Sequence, residues 1–376
     1  MPETPASDGR PSAPGFPVRR VVTGHDADGR GVVVSDGVPP VTVASSRGHG
    51  LSELVWFAAP PRDGLDGGEP SADQRGTFPA GGEAVCRMIR FPGVAEGVPA
   101  DEAWLRVPGD DPEEPGAHRT ETLDLMVVVD GDIVLGLDDG EYPLGPGDAV
   151  VQRGTRHRWR VAGERPCTFL SVLLSPLPDA ARIAPLSIAT TESDDGSRLL
   201  VTGTNADGGS TATVFGVPAP AFPPGAVTVY DLWQTGGPLA DVAQGGTHAP
   251  GVPWTLDPAG GCTALRRVEF AAGAEPGEAG WHTTDTIDVG VVVSGRLELE
   301  LTSPDPGTDA DPGTGTDRAA DRPTVAQHPR TATDTVKLSP GDVVIQRRTA
   351  HRWRPLADEP AALVAVMFPL AAPPKA

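Results

Sequence analysis

Hydrophobic positions dominate most short runs of this chain, but one stretch carries a polar residue at every second position. The polar positions are His118, Thr120, Thr122 and Asp124. An apolar run at 125–129 follows, and then Gly131. Successive side chains of a β-strand point to opposite faces, so this alternation predicts a strand that presents all four polar groups on one face. Such a face belongs in water or in a polar site.

The same stretch occurs a second time, 164 residues further along (118 to 282, and 131 to 295). Its polar positions are His282, Thr284, Thr286 and Asp288. A polar pattern that returns in register with its glycine predicts an internal duplication, and therefore two similar domains. At 376 residues the chain is long enough for each domain to bury a core of its own.

The rest of each copy has the pattern of short strands and turns. The chain has 47 glycines and 42 prolines between Val-rich runs, which favours strands and tight turns over helices. In the first copy, two alternating runs flank Asp138, Asp139 and Gly140 and predict a β-hairpin. Apolar strands are predicted to close the copies at 167–174 and 362–368. The predicted fold class is therefore all-β.

The repeat also predicts domain limits. We expect a disordered N-terminus at 1–18, a first domain at 19–176, a linker at 177–196 and a second domain at 197–371. The spacing between matched positions grows to 194 residues (157 to 351) because of the segment 302–335, which is dense in Pro, Gly, Thr and Asp. An insertion of this composition at a hairpin tip is typical of a flexible surface loop, since closing a longer loop costs little extra entropy.

Charge and composition narrow the range of partners. The net charge is −21 and no basic stripe offsets it, which argues against a nucleic-acid partner. No apolar run approaches the roughly 18 residues of a membrane span, and the polar N-terminus has no secretion signal. The three cysteines are widely separated and form no CxxC pair. We expect a cytoplasmic protein, a monomer or a homo-oligomer, that binds a small-molecule ligand or substrate.

A second pattern occurs in both copies: Pro-Gly-Asp, a Val-rich strand, and a tight turn that leads to a histidine. The strand follows Gly147 and Asp148 in the first copy, and Gly341 and Asp342 in the second. The residues after it that both copies share are Gln152, His157 and Trp159, and Gln346, His351 and Trp353.

These two motifs resemble those of the cupin superfamily, and their tandem occurrence resembles a bicupin. The first motif matches at His118, Asp124 and Gly131, and the second at the Gly-Asp strand that ends in His157. The other copy matches in the same way, so the resemblance is most specific over 118–161 and 282–355. It implies two tandem double-stranded β-helix (jelly-roll) cupin barrels. We expect the barrels to pack against each other with strands from the N-terminal part of each copy.

The resemblance further implies a metal site in each barrel. The implied ligands are His118, Asp124 and His157, and His282, Asp288 and His351. A set of two histidines and one carboxylate suits a divalent metal such as Fe, Mn, Ni or Zn. The same six residues are the predicted catalytic residues, because without metal His157 and Asp124 would form a general acid–base pair. Thr120 and Thr284 stand where the family has another histidine, and the aspartates stand where it has glutamate.

Neighbouring side chains are candidate substrate-binding groups. They are Thr120, Thr122, Gln152, Trp159, Thr284, Thr286, Gln346 and Trp353. Each type also has a structural interpretation. Threonine is common in strands, the glutamines would bond the backbone of the turn that follows them, and tryptophan is often a core residue.

Two functions follow from these patterns. The first is a metal-dependent small-molecule enzyme of the bicupin type, an oxygenase, or an isomerase or cyclase on an oxygenated metabolite. The second is a non-catalytic bicupin that binds a metabolite in degenerate, metal-free pockets. Three potential ligands retained in both copies favour the enzyme, whereas the missing histidine and glutamate favour the binding protein. The fold alone does not decide between them.

Overall fold

A computed structural model describes residues 16, 18–59, 61, 78–107, 109–176, 198–216, 220–221, 225–235, 255–258, 261–302, 332–356 and 358–370. Nearly all of the predicted disordered N-terminus (1–18), the linker (177–196) and most of the insertion (302–335) lie outside the described residues. Within them the chain is built almost entirely of strands, with one 3₁₀ turn at Glu278–Gly280. The all-β prediction is therefore confirmed.

Eleven strands in the described part of the chain precede residue 177. They are β1 (Arg20–His25), β2 (Gly31–Gly37), β3 (Thr42–Ala44), β4 (Gly50–Ala58), β5 (Glu83–Phe91), β6 (Leu123–Asp130), β7 (Ile133–Leu137), β8 (Gly140–Leu144), β9 (Ala149–Arg153), β10 (Arg158–Val161) and β11 (Cys167–Leu174). Those after it are β12 (Leu199–Thr204), β13 (Ser210–Phe215), β14 (Val227–Gln234), β15 (Ala264–Phe270), β16 (Thr286–Ser294), β17 (Leu297–Leu301), β18 (Asp334–Leu338), β19 (Val343–Arg347), β20 (His351–Pro355) and β21 (Ala361–Pro369).

The strands form two jelly-roll barrels, each with one large and one small sheet. Over the described residues, barrel one consists of the sheet β13-β12-β9-β6-β11-β5-β4-β3 and the small sheet β10-β7-β8. Barrel two consists of β14-β15-β21-β16-β19-β1-β2 and β18-β17-β20. The hairpin predicted around Asp138 to Gly140 is the β7–β8 pair, and the predicted closing strand 167–174 is β11.

The two copies exchange their first hairpins. Strand β1 comes from the first copy but pairs in parallel with β19 of the second, and β12 comes from the second copy but pairs in parallel with β9 of the first. Ion pairs follow the same crossing, with Arg19 on Asp342 and Arg198 on Asp148. The predicted domain limits remain a prediction, and the hydrogen-bonded sheets cross them at both N-terminal ends.

Alternating faces of the central strands serve different cores. On β6, Leu123, Leu125, Val127 and Val129 pack in a cluster that also contains Ile287, Val289 and Val291 of β16. This cluster therefore lies between the barrels. Met126 and Val128 point the other way, into a cluster shared with the small sheet β10-β7-β8, which is the interior of barrel one. Val292 belongs to the matching interior of barrel two. Burial of these apolar faces, at roughly 25 cal/mol per Å², stabilises both barrels.

The prediction of a continuous strand through the polar row is wrong for its first half. Strand β6 begins only at Leu123, and β16 only at Thr286. His118 instead forms an isolated bridge with His157, at the end of the small sheet, whereas Leu123 and its successors pair with β9 and β11 of the large sheet. The chain therefore passes from one sheet to the other at 119–122, and a single strand cannot make that corner. No helix in the described residues is long and apolar enough to span a membrane.

Candidate functional site

The two motif histidines of each barrel face each other. The backbones of His118 and His157 exchange two hydrogen bonds of 2.9 Å, and their ring centroids lie 4.3 Å apart. His282 and His351 repeat the arrangement with a centroid distance of 4.2 Å. Matching histidines of the two copies, which stand 164 and 194 positions apart in the sequence, thus build the same pair twice. The sequence motif predicted the members of each pair, and the structure brings them together.

Each imidazole is oriented by a backbone carbonyl two residues before it. The Nδ1 atoms of His118 and His157 lie 2.9 Å from the carbonyl oxygens of Gly116 and Thr155. In barrel two the same distance, 2.9 Å, separates Nδ1 of His282 from Gly280 O and Nδ1 of His351 from Thr349 O. A carbonyl oxygen only accepts hydrogen bonds, so each Nδ1 carries the proton. In the neutral ring the lone pair then lies on Nε2, the form in which histidine binds a metal or accepts a proton.

Burial keeps the rings of His157, His282 and His351 neutral. Burial, followed by the nearby His118, lowers the pKa of His157 to about 3, although the Thr155 carbonyl acts in the opposite direction. Burial and then His282 lower the pKa of His351 well below its usual value. The pKa of His282 is lowered as well, mainly by burial. Placing a charged imidazolium in a poorly solvated site costs free energy, which explains the common direction.

The aspartates lie inside the barrels, on strands β6 and β16 of the large sheets. Asp124 shares the interior face of β6 with Met126, and its Oδ2 accepts a hydrogen bond of 3.3 Å from Thr120. Its Oδ1 is buried and has no hydrogen-bond partner. Burial raises the pKa of Asp124 to about 7, while Thr122 and Thr120 act to lower it. The hydroxyl of Thr122 is near but makes no hydrogen bond of normal geometry.

Asp288 reproduces this environment, with two charged groups nearby, Arg266 and Asp257, that act on its pKa in opposite directions. Its Oδ2 accepts from Thr284 at 3.4 Å, and its Oδ1 is also without a partner. Burial raises its pKa to about 6, while Thr286, the guanidinium of Arg266 and Thr284 lower it. The pKa of Asp124, in contrast, is not lowered by a nearby cation.

A glutamine lies beside each aspartate on the neighbouring strand. Gln152 is opposite Asp124 in the β6–β9 register, and Gln346 is opposite Asp288. The Nε2 of Gln152 donates to the carbonyl oxygen and hydroxyl of Thr155, at 3.3 and 3.4 Å, so the predicted bond to the turn backbone is present. The amide is thereby oriented with its buried Oε1 unpaired, and the same holds for Gln346. The aspartate Oδ1 and glutamine Oε1 atoms, which have no protein partner, are therefore hydrogen-bond acceptors that a ligand could meet.

The predicted metal ligands fit an ion in part. The histidine pair offers two Nε2 lone pairs, which suit a divalent transition metal. Among the described residues, however, no three His, Cys, Asp or Glu side chains form a group that would hold a metal. The influences on the pKa of His157 likewise do not include Asp124. The histidine pair thus fits a metal, the aspartate does not join it in this conformation, and the three-ligand assignment remains a prediction.

Tryptophans border the histidines on two sides. Trp159 is buried in the interior of barrel one with its ring edge-on to His157 at 6.2 Å, and Trp353 lies 6.4 Å from His351. On the outer side of the small sheet, Trp104 stacks under Arg158 at 4.0 Å, and Trp281 under Arg352 at 4.5 Å. Sequence reasoning missed this second pair, because the two tryptophans stand at different distances from their histidines.

Sequence reasoning also missed a hydroxyl pair that supports each histidine turn. Thr155 bonds to Thr202, and Thr349 bonds to Thr23, each at 2.9 Å between the Oγ1 atoms. A signal was present, since Gln-Arg-x-Thr occurs before both histidines and Val-Thr-Gly occurs in both first strands. The pairing of one with the other was not visible, because it joins opposite copies.

Comparison with known proteins matches part of the chain to a protein family. Residues 104–173 match the Cupin domain. The cupin-domain-containing oxidoreductase fogC of Aspergillus ruber is 30% identical over 147 residues, which are 38% of this chain and 63% of that protein. The phomopsin biosynthesis cluster protein C' of Diaporthe leptostromiformis is 59% identical over 44 residues, 11% of this chain and 23% of that protein. The chain thus spans less than two thirds of either relative.

Solved structures with a similar course include AerE from Microcystis aeruginosa, with a TM-score of 0.39 and 9% identity over 88% of this chain and 97% of that one. Hazelnut (Corylus avellana) vicilin has a TM-score of 0.43 and 8% identity, over 87% and 82%. No activity is assigned from likenesses this distant. The Cupin domain match falls on barrel one, and its motifs return in barrel two on the same strands. The chain therefore contains a cupin domain at residues 104–173, within barrel one.

Proposed function

We propose that the chain is a cupin-type enzyme that acts on a small oxygenated metabolite, with one site in each barrel and a divalent metal held by each histidine pair. The observation that carries the proposal is the pair of adjacent imidazoles in each barrel, whose Nδ1 atoms are bonded to backbone carbonyls and whose Nε2 atoms are thereby left to bind a metal. Among the reaction classes, an oxygenase is favoured over an isomerase or cyclase, because the relative fogC is named an oxidoreductase.

His118 and His157, and their counterparts His282 and His351, would hold the metal. A metal bound there would supply Lewis acidity or electron transfer. The chain's own contribution is the surrounding polar site. Gln152 presents Oε1 and Asp124 presents Oδ1, so a ligand hydroxyl would donate to them and be oriented.

Asp124 is also suited to move a proton. With a pKa of about 7 its carboxyl is present in both forms at neutral pH, which is the range in which a general acid–base is most effective. The proton would be exchanged at Oδ1, the oxygen without a protein partner, while Thr120 holds Oδ2. The apolar interior beneath it, which includes Met126 and Trp159, would exclude water.

The alternative is a binding protein with metal-free pockets. It is favoured by one observation: within the described residues neither aspartate joins its histidine pair in a three-ligand group. In that case the histidines and the Asp–Gln pair would act only as hydrogen-bond acceptors for a metabolite.

Metal content decides between the two. The protein is reconstituted with Fe(II), Mn(II), Ni(II) or Zn(II), desalted and analysed by elemental mass spectrometry, beside His118→Ala, His282→Ala and the double variant. The proposal predicts about two equivalents in the wild type, one in each single variant and none in the double variant. His25→Ala, which removes an exposed histidine outside both sites, is the control. If the wild type holds no metal after any of the four reconstitutions, the metal-free binding protein is the function that remains.

A further inference from the structure

Each histidine turn is held by a threonine that belongs to the other copy. We propose that Thr202 and Thr23 are positioning residues that act across the duplication. Thr202 orients the site of barrel one and Thr23 that of barrel two. The proposal does not depend on metal or on the reaction, because it concerns only how the chain fixes its own side chains.

In barrel one, Thr202 lies on β12 and contacts the start of the turn that leads to His157. Its Oγ1 accepts hydrogen bonds of 2.9 Å from the backbone N–H of Arg153 and from the hydroxyl of Thr155. Thr202 is fully buried and Thr155 is 3% exposed, so water does not replace these bonds. The hydroxyl thus ties the end of β9 and the middle of the turn to one point on β12.

Thr155 passes this constraint to both polar groups of the site. Its carbonyl accepts from Nδ1 of His157 at 2.9 Å, and its carbonyl and hydroxyl both accept from Nε2 of Gln152. The Thr155 hydroxyl donates to Thr202, so it is free to accept from the glutamine. Thr202 therefore helps to orient two side chains, so that Gln152 presents Oε1 and His157 presents Nε2.

Barrel two contains the same chain of bonds, built from the opposite copies. Thr23 bonds to Thr349 at 2.9 Å and accepts from the N–H of Arg347 at 3.1 Å. Gln346 donates to the Thr349 hydroxyl at 2.7 Å, and His351 to the Thr349 carbonyl at 2.9 Å. Both turns thus keep the same device in the two copies, which favours a role in the site over an incidental contact in one sheet.

The exchange gives the proposal a crossed signature. Replacing Thr202 alters barrel one, although Thr202 follows that barrel in the sequence, and replacing Thr23 alters barrel two. A general loss of packing would not follow this pattern, because the apolar cluster between the barrels contains strands of both.

The test measures exchange of the ring Nδ1–H proton with water by NMR for His157 and His351. Thr202→Val, which keeps shape and removes the hydroxyl, is expected to speed exchange at His157 about tenfold, as for the loss of one hydrogen bond, and to leave His351 unchanged. Thr23→Val should do the reverse. Thr202→Ser, which keeps the hydroxyl, should show the wild-type exchange rate at His157. The control is Thr204→Val, further along β12, where Thr204 pairs only through its backbone with Ser210.

Equal changes at both histidines, or an unchanged rate at His157 in Thr202→Val, would overturn the proposal. Backbone amide exchange of β9 and β12 in the same samples reports whether barrel one is folded. If Thr202→Val does not fold, Thr202→Ser carries the decision. It keeps the hydroxyl, so a rate at His157 that differs from wild type would then contradict the proposal.

Discussion

The two barrels carry the same polar motif in different charge surroundings. Both have an arginine and a carboxylate on neighbouring strands of the large sheet, paired as Arg87 with Glu53 and as Arg266 with Asp231. In barrel one the arginine lies over Trp56, 5.1 Å from its ring. In barrel two the guanidinium also donates to the sulfur of Met367, at 3.4 Å, which is opposite Asp288 in the sheet register.

The charged groups that influence the pKa of the two aspartates differ as well. Leu173 stands opposite Asp124, where Met367 stands opposite Asp288, and leucine has no acceptor to draw an arginine toward the carboxyl. Arg266 lowers the pKa of Asp288 against the effect of burial, whereas the shift of Asp124 has no cation among its causes. A duplicated motif therefore fixes which groups are present, and residues outside the motif set their protonation. Under the proposed function, Asp124 of barrel one is the group better placed for proton transfer at neutral pH.

The largest test of the comparison is removal of residues 1–37. Although they belong to the first copy, they supply β1 and β2 to barrel two, together with the buried Val21 of its interior. We expect barrel two to lose several kcal/mol of stability, because β19 loses its neighbour and buried valines are lost at roughly 1.5–3 kcal/mol each. Hydrogen exchange should show β16 and β19 losing protection well before β6 and β9.

Removal of residues 1–14 alone is the matched control and should change neither barrel. Earlier or equal loss of protection in barrel one would contradict the exchanged pairing of the first hairpins.

The next test sharpens the difference between the aspartates. A carboxyl whose folded pKa is raised stabilises the fold least when ionised, so stability is lost as pH rises from about 4 through the folded pKa. Asp124→Asn removes this loss. In chelator-treated protein it should be more stable than wild type at pH 8 by up to roughly 4 kcal/mol and show no gain at pH 4, by denaturant unfolding.

Asp288→Asn should gain less, because its pKa is raised only to about 6. Equal gains in the two variants, or a gain for Asp124→Asn that does not change with pH, would remove the electrostatic distinction between the barrels.

The smallest expected effect concerns the turn before the histidine. Gly154 has a φ of 59° in barrel one, and Arg348 adopts a φ of 56° at the same position of barrel two. A side chain is strained in this region, so Arg348→Gly should stabilise barrel two by about 1 kcal/mol. Its exposed ion pair with Asp285 offsets little of this gain. Gly154→Arg should destabilise barrel one by a similar amount, and thermal unfolding measures both. Opposite signs would show that the turn is not under strain.

The sequence predicted what lies close along the chain. The strand at 167–174, the hairpin at Asp138 to Gly140 and the histidines of each pair follow from local alternation, turn chemistry and the repeat. The exchange of the first hairpins was not predictable, because β1 has the same apolar pattern whichever barrel it joins. The break at 119–122 was missed for a related reason, since alternation cannot show where a chain changes sheets.

The sequence also could not show that Asp124 fails to join His118 and His157 in a three-ligand group among the described residues. Spacing places Asp124 on the face of His118 only if one strand runs through both, and the corner between the sheets removes that condition. The burial that raises the pKa of Asp124 comes from strands distant in sequence, which no motif encodes.

The most direct test of the account is the state of the four site histidines, measured by long-range ¹H–¹⁵N NMR on the metal-free protein at pH 6. We predict the Nδ1-protonated tautomer for His118, His157, His282 and His351. The rings of His157, His282 and His351 should be neutral, since burial lowers their pKa values. That result would establish Nε2 as the nitrogen left to bind a metal or accept a proton. Nε2-protonated rings at any of the four histidines, or charged rings of His157, His282 or His351 at pH 6, would contradict the paired site on which the proposed function rests.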